Sequence, residues 1–379
     1  MTPNIQDLYS IEDKLESMSD QLDGDEYCMP IDDPDFTTLI ELIKAEALSK
    51  KLKTDVMNIV NPSKQEVRML VKLFYQMQGN RTKIRNMIRA IEKDEDKKAN
   101  IVVLEWVFKN FVIIEKGIEE CLSVIVNASE VGRWLLQIKG IGPVLAAGCL
   151  AYFDVSNANY ATNWISYAGL NDNNRPFIGA IGASKIVNEV VGNSKTITNN
   201  MAVQIAAKTQ WKYSYLLEHA FNEDTGKWSK TDLIKAASKI PYNKDLKVLM
   251  WKIGKSFVYV CNKPGSLYGS LYMDRKVIET KKNENGDYAD QAAEILRTKK
   301  IKKSTDAYKA YSAGKLPAAH ITARCMRYAE KIFISHLFEE CYRVYHKNDP
   351  NGNVPARYYT LEHCDGHHDE IEPEVPYTC

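Results

Sequence analysis

The residue types best placed for chemistry lie in Leu135-Leu136-Gln137-Ile138-Lys139-Gly140-Ile141-Gly142-Pro143-Val144-Leu145-Ala146-Ala147. Leu135, Ile138 and Ala146 are spaced so that two short helices can pack across a very tight turn. Gly140 and Gly142 permit positive φ and carry no side chain to shield the backbone. Main-chain amides from Lys139 through Ile141 to Val144 can therefore point at a phosphate oxygen. Pro143 suits the first turn of the second helix, where its missing N–H costs nothing. Lys139 adds a cation beside the turn, and Ala146 and Ala147 allow close helix approach. Glycines, proline, aliphatics and lysine agree on a helix-hairpin-helix, whose contacts read the nucleic-acid backbone with little sequence preference and strong salt sensitivity.

A second group of residues is suited to nucleophilic or electrostatic work. Ser184 and Lys185 sit in Gly182-Ala183-Ser184-Lys185, read as part of a glycine-rich loop, where the lysine can position a phosphate or ease formation of an alkoxide. The acids Asp20, Asp23, Asp25 and Asp32 lie in a segment broken by Pro30 and Pro34, with no strands to hold carboxylates around a metal. His363, Cys364, His367, His368 and Cys379 have no standard zinc spacing and stand among acids, so they read as a solvated tail and no metal site is expected. There is no Walker loop, and Gly-x-Gly at 140–142 lacks the third glycine and preceding strand of a dinucleotide site, which disfavours an NTPase or dehydrogenase.

The elements that must position these residues read as helices. Ser63 with Glu66 three residues on is a capping box, followed by Val67, Leu70, Val71, Phe74 and Met77 at helical spacing. The period resumes after Gly79-Asn80, and Lys93–Lys98 turns the chain into a second long helix from Ile101 to Ile125. The expected class is mainly α: a long antiparallel helical hairpin or coiled coil over 61–130, then a helical domain over 131–347 containing the helix-hairpin-helix at 135–150. Helices are expected over Thr198–Phe221, Thr231–Ala237, Asn243–Cys261 and Pro317–Tyr345, with Glu279–Gly286 a polar loop. On the last helix Arg324, Arg327 and Lys331 share one face, free to touch DNA, while Ile321, Cys325, Tyr328 and Ile332 share a packing face. Residues 1–60 read as a poorly ordered acidic arm and 348–379 as an acidic tail.

Charge fits that plan. The net charge of +1 is segregated: residues 1–46 hold thirteen acidic against two basic side chains, and residues 348–379 hold seven against one. The body between them carries 47 basic against 29 acidic side chains, the balance of a polyanion binder. Arg297-Thr298-Lys299-Lys300-Ile301-Lys302-Lys303 places five cations in seven positions. The eight cysteines are scattered without a Cys-x-x-Cys pair, which points to reduced thiols in the cytoplasm. No apolar run approaches membrane-spanning length and no basic-then-apolar leader opens the chain.

From Leu135 onward the order of features resembles the C-terminal transposase domain of the IS110/IS116/IS902 insertion-element transposases. Gly140-Ile141-Gly142 is followed by Tyr152-Phe153-Asp154, Tyr160, Trp164 and Tyr167-Ala168-Gly169-Leu170, similar to that family's aromatic and GL segment. Ala237-Ser238-Lys239 with Asn243 and Leu246-Lys247-Val248-Leu249 is similar to its SK…GN…LR stretch, with Ser238 read as a helix start. His320–Tyr345 resembles its closing helix, and 64–130 occupies the place of its coiled coil. The stretch 186–230 has no counterpart and reads as an insertion.

The resemblance implies DNA as partner, with a guide or structured RNA as a further candidate, and self-association through 61–130. Lys239 and Lys247, in the stretch similar to the family's, join Lys185, Arg324 and Arg327 as further candidate phosphate contacts. Two departures bear on catalysis. The family's N-terminal RuvC-like nuclease domain has no counterpart, so Mg²⁺ enters only with a nuclease partner and no other cofactor is expected. At the place of the family's serine nucleophile the chain reads Pro176-Phe177-Ile178-Gly179, with Ser184 the nearest hydroxyl. The expectation is DNA binding without autonomous strand cleavage. The alternatives are a recombinase that uses Ser184 with a nuclease domain supplied in trans, and a helical scaffold.

Overall fold

A computed structural model describes residues 62–93, 101–171, 178–347 and 371–378. The acidic arm, Asp20 to Asp32 within it, the Lys93–Lys98 turn beyond its first residue, and the histidine and cysteine positions from 363 to 368 and at 379 lie outside the described residues. The protein is mainly α-helical, with fourteen α-helices among the described residues. None of these is long and apolar enough to cross a membrane.

Helices α1 (Lys64–Glu92) and α2 (Ile101–Asn127) pack along one another. The capping box at Ser63 and Glu66 is formed, and α1 runs unbroken through Gly79-Asn80. Val67, Val71 and Phe74 meet the core beside Ile118, Leu122 and Val126. Further along, Arg81 Nε lies 2.6 Å from Glu115 Oε2. A half-buried, bidentate guanidinium-carboxylate pair of this kind sets the register of the two helices. Arg68 donates to the Ala151 carbonyl at 2.9 Å and Lys64 pairs with Asp154 at 2.7 Å, which fixes α1 on the next part of the chain.

That part contains α3 (Glu130–Gln137), α4 (Pro143–Tyr152), a 3-10 turn (Val155–Asn157) and α5 (Ala161–Tyr167). Helices α10 (Lys244–Val260), α11 (Leu267–Glu284) and α14 (Ala318–Tyr345) complete the main core around Phe257, Tyr268, Phe333 and Phe338. Phe257 stacks on Tyr268 with ring centroids 4.8 Å apart, and Phe333 meets both edge-on. Two short helices, α12 (Ala289–Thr298) and α13 (Asp306–Ser312), lie between α11 and α14. The segment expected as a polar loop at 279–286 is instead the last turns of α11 to Glu284. The buried Glu279 explains this, since it faces inward and pairs with cations rather than with water.

The chain between α5 and α10 builds a second, smaller core. Helices α6 (Gly179–Val191), α7 (Asn199–Thr209), α8 (Tyr213–Ala220) and α9 (Lys230–Ala237) enclose Val187, Ile205, Leu216, Trp228 and Leu233. The helix expected over Thr198–Phe221 is divided at Gln210, which adopts φ 56° and ends α7. Phe221–Asn222 and Lys227–Trp228 pair antiparallel as a minimal hairpin, a feature the sequence reading lacked. This core reaches past position 230 to Leu233 and Ala236.

Residues 371–378 depart most from expectation. Within a region read as a solvated acidic tail, this strap lies on the main core with Val375 only 9% exposed. Trp134 Nε1 donates to the Val375 carbonyl at 3.0 Å, and the Trp134 and Tyr377 rings stack 6.3 Å apart. His336 Nε2 lies 2.8 Å from the Ile371 carbonyl, and the Thr378 amide donates to Glu340 at 2.9 Å. Ile371, Pro373, Val375 and Tyr377 alternate with Glu372, Glu374 and Pro376, and Ile371, Val375 and Tyr377 pack on the core.

Candidate nucleic-acid interface

The α3–α4 unit is positioned by its own caps and by α10. Ser129 Oγ accepts from the Gly132 amide to start α3, and the Ile141 amide returns to the Ile138 carbonyl at 3.0 Å to close the turn. Gly140 has φ 94°, and a Cβ there would lie 3.0 Å from Ser256 Oγ and 3.3 Å from Val260 Cγ2. Its carbonyl accepts from Ser256 Oγ at 2.5 Å, so the turn is seated on α10. Gly142 caps α4, with Pro143 following it, and a Cβ there would meet open space. The side chains of Ile141 and Val144 are buried and the Ile141 amide is spent within the turn, so what this pair can offer a ligand is the main-chain amide of Val144. Lys139 is exposed, yet its Nζ donates to the Pro264 carbonyl and its amide donates to Glu374 Oε1 at 2.6 Å.

Two segments far apart in sequence meet at the other end of α10. The Asn243 amide donates to the Tyr167 carbonyl at 2.9 Å, and Asn243 Nδ2 donates to the Tyr167 hydroxyl at 2.8 Å. Asn243 Oδ1 meanwhile accepts from the Leu246 amide, capping α10. Gly169, at φ 69°, lets the Tyr242 ring press on the backbone, since a Cβ would lie 2.8 Å from it. Lys247 Nζ stands 4.2 Å from the centre of that ring. Lys239 lies 5.7 Å from the Tyr215 ring, and Ser238, expected to start a helix, caps the end of α9 with its hydroxyl on the Lys235 carbonyl.

Glu330 of α14 is 2% exposed and packs on α10 at Gly254, where a Cβ would lie 2.0 Å from its Oε1. Burial raises its pKa to about 8, against the pull of Arg327 and Lys247. At neutral pH this carboxyl is mostly protonated. The positive charges of Arg327 and Lys247 are therefore left largely uncompensated by it.

Arg324 does not stand free on the face shared with Arg327 and Lys331. Its Nε donates to Glu279 Oε2 at 2.9 Å, its guanidinium covers the Tyr288 ring at 4.8 Å, and Arg275 binds the same carboxylate. Burial works against the Glu279 carboxylate, but the Tyr288 hydroxyl and the two arginines prevail and hold its pKa below the ordinary value. Tyr288 is pushed up to about 12 by burial and by that carboxylate.

Ser184 and Lys185 lie within α6 rather than in a loop, because the helix starts at Gly179 and Ala183, Val187 and Val191 give it a buried stripe. Ser184 Oγ accepts from Asn188 Nδ2 at 3.2 Å, a partner that cannot take its proton. Lys185 is exposed. Lys299, Lys300, Lys302 and Lys303 are exposed too, while Arg297 pairs with Glu294. Among the described residues no group of three or more His, Cys, Asp or Glu could hold a metal ion.

Two features escaped the sequence reading. The outer side of α10 exposes Trp251 and Tyr259, 54% and 77% accessible, with Lys255 Nζ about equally placed at 5.9 and 6.0 Å from their rings. Their spacing of four along a helix was the available signal. Glu374 at the turn had none, because it stands 235 positions from Lys139.

No protein-family model, curated protein or solved structure matches the chain.

Proposed function

We propose that the chain binds nucleic acid, DNA foremost, as a protein of IS110-type transposase-domain character that does not cleave strands on its own. The helix-hairpin-helix over 135–150 contacts phosphates through main-chain amides between Lys139 and Val144. Lys247 supplies charge at the opposite end of α10 with Arg327 beside it around Glu330, and Lys185 and Lys239 add cations on the smaller core. The observation that carries this reading is the convergence on α10: Ser256 holds the glycine turn, Asn243 holds Tyr167 and the GL segment, and the outer side offers Trp251, Lys255 and Tyr259. Aromatics interleaved with lysines suit a nucleic-acid strand better than they suit an apolar partner. Structured RNA is the second ligand of the same chemistry.

Self-association is part of the proposal, through the paired helices α1 and α2. Val102, Val103 and Trp106, at 70%, 66% and 65% exposure, form an apolar run on α2. The test is direct binding of labelled duplex, single-stranded and branched oligonucleotides across a salt series. Affinity that falls with salt by several ions released is expected. No binding at low salt by the full chain overturns the reading.

A further inference from the structure

The geometry points to an autoinhibited phosphate site: the C-terminal strap places the Glu374 carboxylate where a nucleic-acid phosphate is to bind, and the strand must displace it. This inference rests on the nucleic-acid reading above. Glu374 Oε1 accepts from the Lys139 amide at 2.6 Å and Oε2 accepts from the Leu267 amide at 2.9 Å. One carboxylate thus bridges the glycine turn and the first residue of α11. Both donors are main-chain amides, and the second carries the positive end of an eighteen-residue helix. That is the donor set of an oxyanion site, here filled by the chain's own anion.

A second observation lies at the same helix start. Ser266, the residue before Leu267, is 1% exposed and its hydroxyl has no hydrogen-bond partner. Buried hydroxyls are rarely left so. A carboxylate has two oxygens and both are used, whereas a phosphate diester presents its oxygens tetrahedrally and can engage a third donor. The Ser266 Oγ, which lies 2.7 Å from where a Gly269 Cβ would stand, is the donor that a rotation of its side chain would bring to that phosphate. Lys139 Nζ, now spent on the Pro264 carbonyl, is the cation that a phosphate would recruit.

The strap is held well enough to compete and is nevertheless a displaceable piece. Its anchors are the Trp134 to Val375 hydrogen bond, the Tyr377 stack beneath Arg343, and Glu340 at Thr378. Its own Glu372 and Glu374 carry negative charge on the strap. A strand that binds the turn gains the two amides and repels the strap, whereas the strap gains by being tethered to its own site.

The test compares the full chain with Glu374→Gln and Glu372→Gln, using a labelled 30-base-pair duplex at several salt concentrations. Both substitutions remove one charge from the same strap, but only the first alters the carboxylate at the turn. Glu374→Gln is expected to bind about tenfold tighter, within the range of ordinary coupling between sites, and Glu372→Gln about as wild type. Hydrogen exchange of the 371–378 amides should rise when wild type is saturated with duplex. Equal affinity of Glu374→Gln and wild type, or equal tightening by both variants, overturns the inference while leaving the proposed function intact. Absence of binding by all three at low salt overturns both. Thermal melts of the variants guard against a folding defect, and a Glu374→Gln chain that melts as wild type yet binds no tighter also overturns the inference.

Discussion

Asn243 grips Tyr167 twice, by its backbone amide on the carbonyl at 2.9 Å and by its side-chain amide on the hydroxyl at 2.8 Å. The same side chain caps α10. One residue therefore aligns the GL segment, the start of the central helix and, through that helix, the glycine turn at its far end. Asn243→Ala is expected to destabilise the protein by roughly 1–3 kcal/mol, a lost cap together with a lost tertiary hydrogen bond. Urea unfolding checks it, with an unchanged midpoint counting against the arrangement.

Gly140 and Gly142 should respond differently to the same substitution. Gly140→Ala forces a side chain into positive φ and against Ser256, so stability is expected to fall by about 1–2 kcal/mol. Gly142→Ala meets open space at φ −95° and should leave the melting temperature within about two degrees while weakening nucleic-acid affinity, because its methyl shields the amide row. Melting curves and binding isotherms of the two variants separate the roles.

Glu330 predicts a pH dependence. Its folded pKa of about 8 exceeds the ordinary carboxylate value of 4.5, so between these limits the unfolded chain loses a proton that the folded chain keeps. Its contribution to stability is present in full below about pH 4.5 and is lost as pH rises through about 8. Glu330→Gln should flatten the decline in stability between pH 5 and 8 measured by chemical denaturation; a variant with the wild-type slope would contradict the assignment.

Arg324 and Arg327 are three positions apart but belong to different tasks. Arg324→Ala strips a partner from the buried Glu279 and is expected to cost about 3 kcal/mol. Arg327→Ala should change stability little and lower nucleic-acid affinity with a shallower salt slope. The reverse pattern in denaturation and binding assays would sink the division.

Trp106→Arg should abolish self-association if the apolar start of α2 is its seat, read by light scattering over a concentration series. An unchanged mass would remove α2 from the interface.

Helix class was legible because periodic apolar residues and local caps act within one or two turns, as at Ser63 and Glu66. The turn over 138–142 was legible for the same reason: glycine, proline and small residues leave the backbone few options. The inward face of Glu279, the seat of Ser256 on Gly140, and the contact of Glu374 with Lys139 depend on partners far along the chain. Composition argued against them, since a glutamate reads as exposed until an arginine 45 positions away proves otherwise. Ser184 was misplaced because glycines at 179 and 182 read as loop, while Ala183, Val187 and Val191 carry the helix.

The doubled contact between Tyr167 and Asn243 has a topological meaning. The chain leaves the main core just after Leu170, builds a separate core from Val187 to Ala236, and returns within one hydrogen bond of its point of departure. Everything between is a detour whose two ends already touch. Bridging those ends with a few residues would cost the main core little loop entropy, so the smaller body can be cut out without opening the main core.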